Sequence, residues 1–158
     1  MVLQRNKSAS EIEIRLASLG DLDSIAELFD LYRQFYGKFA DLQGAQSFIR
    51  ERLKARDSAI FVAELAQEIV GFVQLYPSFT SLGMVRIWIL NDLFVAEEFR
   101  RHGIGEKLML VAHQHARATE ASAVILETQI ENRQARALYE KLGYQVEKGF
   151  LVYSLNVR

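Results

Sequence analysis

A turn with two arginines and two glycines, Arg100 to Gly105, stands between an apolar run and an amphipathic segment. The run from Ile89 to Val95 is rich in branched and aromatic residues and predicts a strand, whereas apolar residues recur at helical spacing from Ile104 onward. A helix that begins here would direct its unpaired backbone amides and the positive end of its dipole at the turn. Glycines would let a ligand approach those amides, and the arginines would add forked donors. The pattern therefore predicts a site for an anion such as a phosphate.

Three interpretations of this turn stay open from the residues alone. A Walker A loop needs a second glycine followed by Lys and Ser or Thr, and the residues after Gly103 are IGEK. A Rossmann turn needs a third glycine at the position of Leu108, although Glu127 stands at a plausible distance for an acid that binds a ribose. The third interpretation is a plain glycine turn between a strand and a helix, with its arginines in solvent.

A second motif lies downstream, where LETQIENRQARALYEKLGY combines a strand, an Asn, an Ala-rich helix, a Tyr and Leu-Gly-Tyr. Together with Arg100 to Gly105, which matches (Arg/Gln)-x-x-Gly-x-(Gly/Ala), it resembles the two signatures of the GNAT N-acetyltransferases. The stretch LYPSFTSLGMVRIWILNDLFV also resembles the polyamine, diamine and histone-type subgroup of that family. The resemblance implies the GNAT fold and acetyl-CoA as the acetyl donor.

The same resemblance implies where the coenzyme would bind. Its pyrophosphate would lie in the turn, and its pantetheine arm would pair with main chain along the end of the preceding strand. Asn132 fits equally an N-cap of the last helix and a coenzyme contact. The expected coenzyme-binding residues are Leu93, Phe94, Val95, Arg100, Arg101, His102, Gly103, Ile104, Gly105, Glu106, Asn132 and Tyr139.

Tyr139 is the first candidate catalytic residue. It shares one helix face with Ala135, Leu138 and Leu142, so it fits a core tyrosine with a hydrogen-bonded hydroxyl. The tyrosine of the matching family motif is instead taken to protonate the departing thiolate of coenzyme A. A phenol has a pKa of about 10 and a thiol about 8.5, so this transfer depends on close placement more than on acidity.

Asp92 is the second candidate, because an acid in the run WILNDLFV must find a hydrogen-bonding partner or face a wet cleft. In the diamine acetyltransferases that this stretch resembles, an acid here helps to bind or deprotonate the amine. Those enzymes tend to have a second acid just before it, where this chain has Asn91. Aromatic faces attract organic cations, so the expected acceptor-binding residues are Tyr32, Tyr36, Trp88 and Asp92.

Composition bounds the other classes of function. Half of the residues are hydrophobic and the formal net charge is −1 with acids and bases interspersed, which gives no basic stripe for nucleic acid or for an anionic membrane. No apolar run is long enough to cross a bilayer, and MVLQRNKSAS lacks the apolar stretch of a signal peptide, so a cytoplasmic location is expected. His113 and His115 point differently on one helix, and no metal site is expected. Cysteine is absent, which excludes an acyl-cysteine intermediate and favours direct transfer.

The pattern of periodicities predicts a mixed α+β fold with one domain at 11–158 after a flexible arm at 1–10. The expected sheet is mostly antiparallel with six or seven strands, flanked by about four helices. Pro77 is placed between two strands, and the last two strands are predicted at Tyr144–Glu147 and Phe150–Leu155. The apolar edge of these final strands would need cover, and this favours a homodimer.

These observations predict an N-acetyltransferase that moves an acetyl group directly from acetyl-CoA to a primary amine. The acceptor would be a small molecule, polyamine-like, or a peptide. The alternative is a non-catalytic acyl-CoA-binding or regulatory domain with the same fold.

Overall fold

The computed structural model describes residues 11–158, so the arm predicted at 1–10 lies outside the described residues. The elements follow in this order: β1 Glu13–Leu16, α1 Leu22–Phe35, α2 Leu42–Ala55, β2 Ala59–Leu65, β3 Glu68–Thr80, β4 Val85–Val95, α3 Ile104–Ala118, β5 Ala123–Leu126 and α4 Arg133–Lys141. Short 3-10 turns at Leu19–Asp21 and Glu97–Phe99 precede α1 and follow β4.

The five strands form one sheet in chain order. The first four strands pair in antiparallel fashion, and β4 pairs with β5 in parallel across the α3 crossover. The mixed, mostly antiparallel sheet with four helices confirms the predicted class. The β4–α3–β5 unit also places the glycine turn at the start of a crossover helix, where the sequence predicts it.

The predicted count of six or seven strands is wrong for the described residues, which contain five. The segments at 144–147 and 150–155 have no strand, and Phe150 and Tyr153 are 76% and 86% exposed. Their apolar, β-branched pattern fits a strand, but a strand forms only where a neighbouring backbone pairs with it.

Pro77 does not lie between two strands as predicted, because β3 continues through it to Thr80. Pro77 pairs with Trp88 of β4, whereas the pairing of β3 with β2 ends at Leu75 opposite Ala59. At Pro77 the strand therefore has a neighbour on one side only, and the missing amide hydrogen costs no ladder bond on the open side.

Helices cover both faces of the sheet. Ile60 and Val62 of β2 pack in a buried cluster with Ile25 and Leu28 of α1. Phe61, between them, packs its ring at 5.3 Å from His115 of α3. Successive residues of a strand point to opposite faces, so α1 and α2 lie on one face and α3 lies on the other.

Two compact units divide the described chain, the first reaching to Glu127 and the second comprising Thr128–Arg158. The first contains the sheet and α1 to α3, and the second contains α4 and the segment that follows it. No helix between residues 11 and 158 is long and apolar enough to cross a membrane.

Candidate active site

The glycine turn leads directly into α3. Gly103 is the N-cap residue with φ of +74°, and no side chain caps the helix there. Arg101 also has a positive φ, of +64°. The left-handed backbone at position 103 explains why a glycine stands there. Because no side chain caps the helix, the amides at the start of α3 are accessible to an anion. Leu108 is fully buried where a Rossmann turn would have its third glycine.

Arg100 folds back on β4 instead of extending into solvent. Its Nε donates to the carbonyl of Val95 at 2.8 Å, and its guanidinium carbon lies 5.2 Å from the centre of the Phe94 ring. His102 is exposed, with Nδ1 at 3.2 Å from the carbonyl of Phe99. These two contacts of Arg100 fix the turn against the strand.

The end of β4 offers main chain to a ligand. The amide of Ala96 donates to the carbonyl of Val70 at 2.9 Å, and such pairs alternate along an antiparallel ladder. The peptide groups of Leu93 and Val95 therefore face away from β3. On that side β5 pairs with β4 only over Ile87–Leu90. This edge of β4 is a place where an extended amide chain could add to the sheet.

A bulge shapes the middle of β4. The register shifts after Gln74, which pairs with Asp92, while Leu75 pairs with Leu90 and leaves Asn91 as the extra residue. Asp92 consequently shares the face of Phe94, which packs against α1. A bulge of this kind redirects a side chain, and here it sends the carboxylate inward.

Asp92 is only 4% exposed. Its Oδ2 accepts a 2.8 Å hydrogen bond from Gln74 Nε2, and its Oδ1 lies 3.4 Å from Asn91 Nδ2. Burial raises the pKa of Asp92, and hydrogen bonds from Gln74, Tyr32 and Asn91 oppose that rise. Burial, together with the charge of Asp92, raises the pKa of Tyr76 to about 12.

One of the aromatic residues expected at the acceptor site, Tyr32, contacts Asp92, and a second, Tyr36, packs against Tyr32. The Tyr32 hydroxyl donates to the carbonyl of Asn91 at 3.0 Å, and the ring of Tyr36 packs edge-on at 5.0 Å from that of Tyr32. The structure does not bring Trp88 to them. Trp88 is buried on the α3 face, where its Nε1 donates to Thr119 Oγ1 at 2.8 Å. Its indole serves the packing of α3 on the sheet.

The second unit carries the other two candidates. Asn132 is the N-cap of α4, and its Oδ1 accepts from the amide of Ala135 at 3.2 Å. Tyr139 is half-buried on α4, with its ring centre 5.9 Å from that of Tyr144. Burial and the charge of Tyr139 raise the pKa of Tyr144 to about 12. Asn132 thus acts as the N-cap of α4, which is one of the two roles that its place in the sequence allows.

A groove of about 630 Å³ runs along α1 beside the end of β4. Phe94 and Arg100 line it, but Tyr32, Tyr36, Trp88 and Asp92 do not. Four of its lining residues are acidic: Glu27, Glu68, Glu97 and Glu98. Between residues 11 and 158 no three His, Asp or Glu side chains are grouped so that they could hold a metal ion.

Gln74 and Ser58 are site residues that the sequence reading missed. Gln74 is completely buried on β3, and its Oε1 accepts from Ser58 Oγ at 2.9 Å. The signal was present in the run VGFVQLYP, where a single amide interrupts apolar residues. A buried amide needs partners as much as a buried acid does, and the same argument that selected Asp92 could have selected Gln74.

The chain is similar to known proteins in sequence and in fold. The sequence model of the Acetyltransferase (GNAT) family matches residues 25–144. An uncharacterized N-acetyltransferase of Bacillus subtilis, YhfO, is 46% identical over 92% of this chain and 98% of its own length. An N-alpha-acetyltransferase of Sulfurisphaera tokodaii is 31% identical over 90% of this chain and 85% of its own length. The crystal structure of a probable acetyltransferase superposes with a TM-score of 0.86 at 39% identity, covering 92% of this chain and 98% of that one. The chain belongs to the GNAT family of acetyltransferases.

Proposed function

We propose that this protein is an acetyl-CoA-dependent N-acetyltransferase that transfers the acetyl group directly to a primary amine of a small molecule or peptide. The observation that carries the proposal is the pairing of an uncapped α3 N-terminus with a free edge of β4 and a carboxylate, Asp92, on the same strand. The first two features suit the coenzyme, and the third suits the amine.

The described residues fit coenzyme A in two ways. The start of α3 at Gly103 and the arginines Arg100 and Arg101 suit a pyrophosphate, while His102, Ile104, Gly105 and Glu106 complete the turn. The outward amide and carbonyl of Leu93 and the outward amide of Val95 suit the amides of a pantetheine arm, while the Val95 carbonyl already accepts from Arg100. Phe94 contributes through its ring beneath Arg100, and Asn132 and Tyr139 are proposed as further contacts on the family motif.

The thioester of acetyl-CoA supplies an activated acetyl carbon. The protein must accept one proton from the amine and donate one proton to the departing thiolate. The amine nitrogen forms a bond to that carbon as the carbon–sulfur bond breaks. The proton lost by the amine passes through water to Asp92, because a carboxylate alone is a weak base toward an ammonium of pKa about 10. We assign to the Tyr139 hydroxyl the proton that the departing thiolate receives.

A cationic acceptor is supported by the chemistry around Asp92. An ammonium favours aromatic faces beside a carboxylate, and Tyr32 supplies a ring at Asp92 with Tyr36 packed against it. The four glutamates of the groove along α1 would also attract cations and repel anions. A polyamine-like amine and the N-terminus of a peptide both meet this description. Trp88 is left out of the acceptor site because it lies on the other face of the sheet.

One acetyltransferase domain at 11–158 is part of the proposal, and the family match across 25–144 supports it. A homodimer also stays a proposal, now without the predicted final strands. Its support is the row of exposed apolar residues at the C-terminal end: Phe150, Leu151, Val152, Tyr153, Leu155 and Val157. A cytoplasmic location stays a prediction.

The near-complete burial of Asp92 favours a second candidate, an acyl-CoA-binding domain without transfer activity. A thiol-release assay separates the two, because the chain has no cysteine and a thiol-reactive reporter counts only liberated coenzyme. We expect acetyl-CoA to raise Tm, and thiol release to require an amine in a screen of polyamines, amino acids, aminoglycosides and peptides. A rise in Tm without any release would favour the binding domain. No rise in Tm would refute both.

A further inference from the structure

Gln74 is the most deeply buried polar side chain in contact with Asp92. It is 0% exposed, and both ends of its amide are engaged. Its Nε2 donates to Asp92 Oδ2 at 2.8 Å, and its Oε1 accepts from Ser58 Oγ at 2.9 Å. An ionised carboxylate can only accept, so the NH2 group of Gln74 faces Asp92, and the hydroxyl of Ser58 donates to the amide oxygen at the other end.

The backbone reinforces this arrangement. Gln74 pairs with Asp92, and this is the last pair between β3 and β4 before the bulge at Asn91. The two side chains therefore lie side by side on adjacent strands, on the face that α1 covers. Gln74 is thus held by its strand, by Ser58 and by the sheet register at the point where the carboxylate turns inward.

We propose that Gln74 is the positioning residue of Asp92, holding the carboxylate ionised and oriented so that it can receive the cationic acceptor. The inference rests on the proposed function of Asp92 and names a residue that acts through it. Gln74 does so as a neutral donor. In the described part of the chain, Asp92 has no ion pair with Lys, Arg or His.

A neutral donor has an advantage over a cation at this place. A lysine or arginine would satisfy the charge of Asp92 permanently and compete with the amine substrate. An amide stabilises the carboxylate by one hydrogen bond and leaves its net charge for the ligand. Burial alone raises the pKa of Asp92, and the bond from Gln74 is the largest of those that oppose the rise.

Two tyrosines lie beside the pair formed by Asp92 and Gln74. Tyr32 comes from α1 and Tyr76 comes from β3, and both are phenols that stay neutral near pH 7. Arg52 and Asp57, an ion pair with 2.9 Å between Nε and Oδ1, act on Tyr76. Because the pKa of Tyr76 is raised to about 12, a carboxyl titration followed at Asp92 itself is separate from that of Tyr76.

The test replaces Gln74 by Met, which keeps the length and volume of the side chain but removes both polar groups. In substrate-free protein with 13C-labelled carboxyls, we expect the titration of Asp92 to move up by about one pH unit, the order of a hydrogen bond to a charged group. Ser58→Ala, which frees the amide to rotate, should move it in the same direction by less. Gln46→Met is the matched control, because Gln46 donates to Asp23 on the surface at 3.2 Å.

Two readouts keep the inference separate from the proposed function. The carboxyl titration needs no activity, so an unchanged Asp92 titration in both Gln74→Met and Ser58→Ala overturns the positioning role. In the acetylation assay, kcat/KM for the amine should fall on the acid side of its pH profile, and the midpoint of that fall should move to higher pH together with the titration of Asp92. A titration that shifts without any acetylation by the wild type would refute the proposed function and leave the positioning of Asp92 supported.

If Gln74→Met does not fold, Ser58→Ala carries the test, because Ser58 is only half-buried. A Ser58→Ala titration identical to that of the wild type then counts against the proposal. KM for acetyl-CoA should stay within twofold in every folded variant.

Discussion

The hydroxyl of Tyr32 donates to the backbone carbonyl of Asn91 over 3.0 Å and thereby joins the last turns of α1 to the bulge of β4. The same ring packs edge-on against Phe72 and Phe94 at 6.3 Å. The contact couples the helix that carries the aromatic residues to the strand that carries Asp92.

Tyr32→Phe keeps the ring and deletes the hydrogen bond from the hydroxyl to the carbonyl of Asn91. We expect a loss of about 1 kcal/mol in the free energy of unfolding, as for a typical hydrogen bond, and a several-fold rise in KM for the amine. KM for acetyl-CoA should barely change. Tyr36→Phe is the matched control, because Tyr36 packs on Tyr32. Its KM for the amine should rise less. Equal effects on both substrates in Tyr32→Phe would show that the contact only supports the fold.

Asp92→Asn tests the cost of burying a charge. Burial raises the pKa of Asp92 above its value in the unfolded chain, so the folded state keeps the proton to higher pH. Stability therefore falls as the pH rises from the unfolded pKa to the folded pKa. Removing the charge should therefore raise Tm at pH 7 and have less effect near pH 4. Activity should fall at the same time, with KM for cationic amines raised more than KM for acetyl-CoA. A lower Tm at pH 7 would mean that the carboxylate stabilises the fold.

Much of this architecture could be predicted from the sequence. The strand, glycine turn and helix from Ile89 onward formed as the periodicity indicates, because local pattern and tertiary packing agree there. The segment after Tyr144 did not, since its β pattern needs a partner that the sequence does not specify. Asp92 was found as an anomaly among apolar residues. Trp88, expected at the acceptor site with it, lies on the other face of the sheet because the bulge at Asn91 reverses the alternation along β4.

Histidine protonation should limit stability in mild acid. Burial lowers the pKa of both His113 and His115, and Nε2 of His115 is buried without a hydrogen-bond partner between the rings of Phe61 and Trp88. The unfolded state, with a pKa of about 6.5, then takes up protons that the folded state resists, so stability falls as pH falls through that value. Urea unfolding at pH 7.5 and 5.5 measures the loss. His115→Leu should reduce it, and an equal loss in the variant would contradict the assignment.

Gly103→Ala tests the turn. The glycine has φ of +74°, and a Cβ there would meet nothing within 4 Å, so the expected cost is backbone strain of about 1 kcal/mol without a clash. The added methyl would stand at the start of α3, where we propose that the pyrophosphate binds, and Kd for acetyl-CoA should rise several-fold. Gly37→Ala is a matched control with φ of +78° and the same open surroundings. It should lose similar stability and keep the coenzyme affinity. Equal affinities in the two variants would remove the pyrophosphate from this turn.

Tyr139→Phe tests the last proton of the reaction. The substitution keeps the ring that packs 5.9 Å from Tyr144 and deletes only the hydroxyl. If that hydroxyl protonates the thiolate, kcat should fall by roughly ten- to a thousandfold while KM for acetyl-CoA stays near the wild-type value.

The neighbouring phenol provides the control for this prediction. Burial and Tyr139 raise the pKa of Tyr144 to about 12, which makes its hydroxyl a poorer acid. Tyr144→Phe should therefore keep most of the turnover. Leaving-group protonation also predicts that a more acidic thiol rescues Tyr139→Phe, because its thiolate needs no proton to depart. If Tyr139→Phe turns over like the wild type, with bond breaking shown to limit the rate, the tyrosine is a packing residue and the thiolate takes its proton from water.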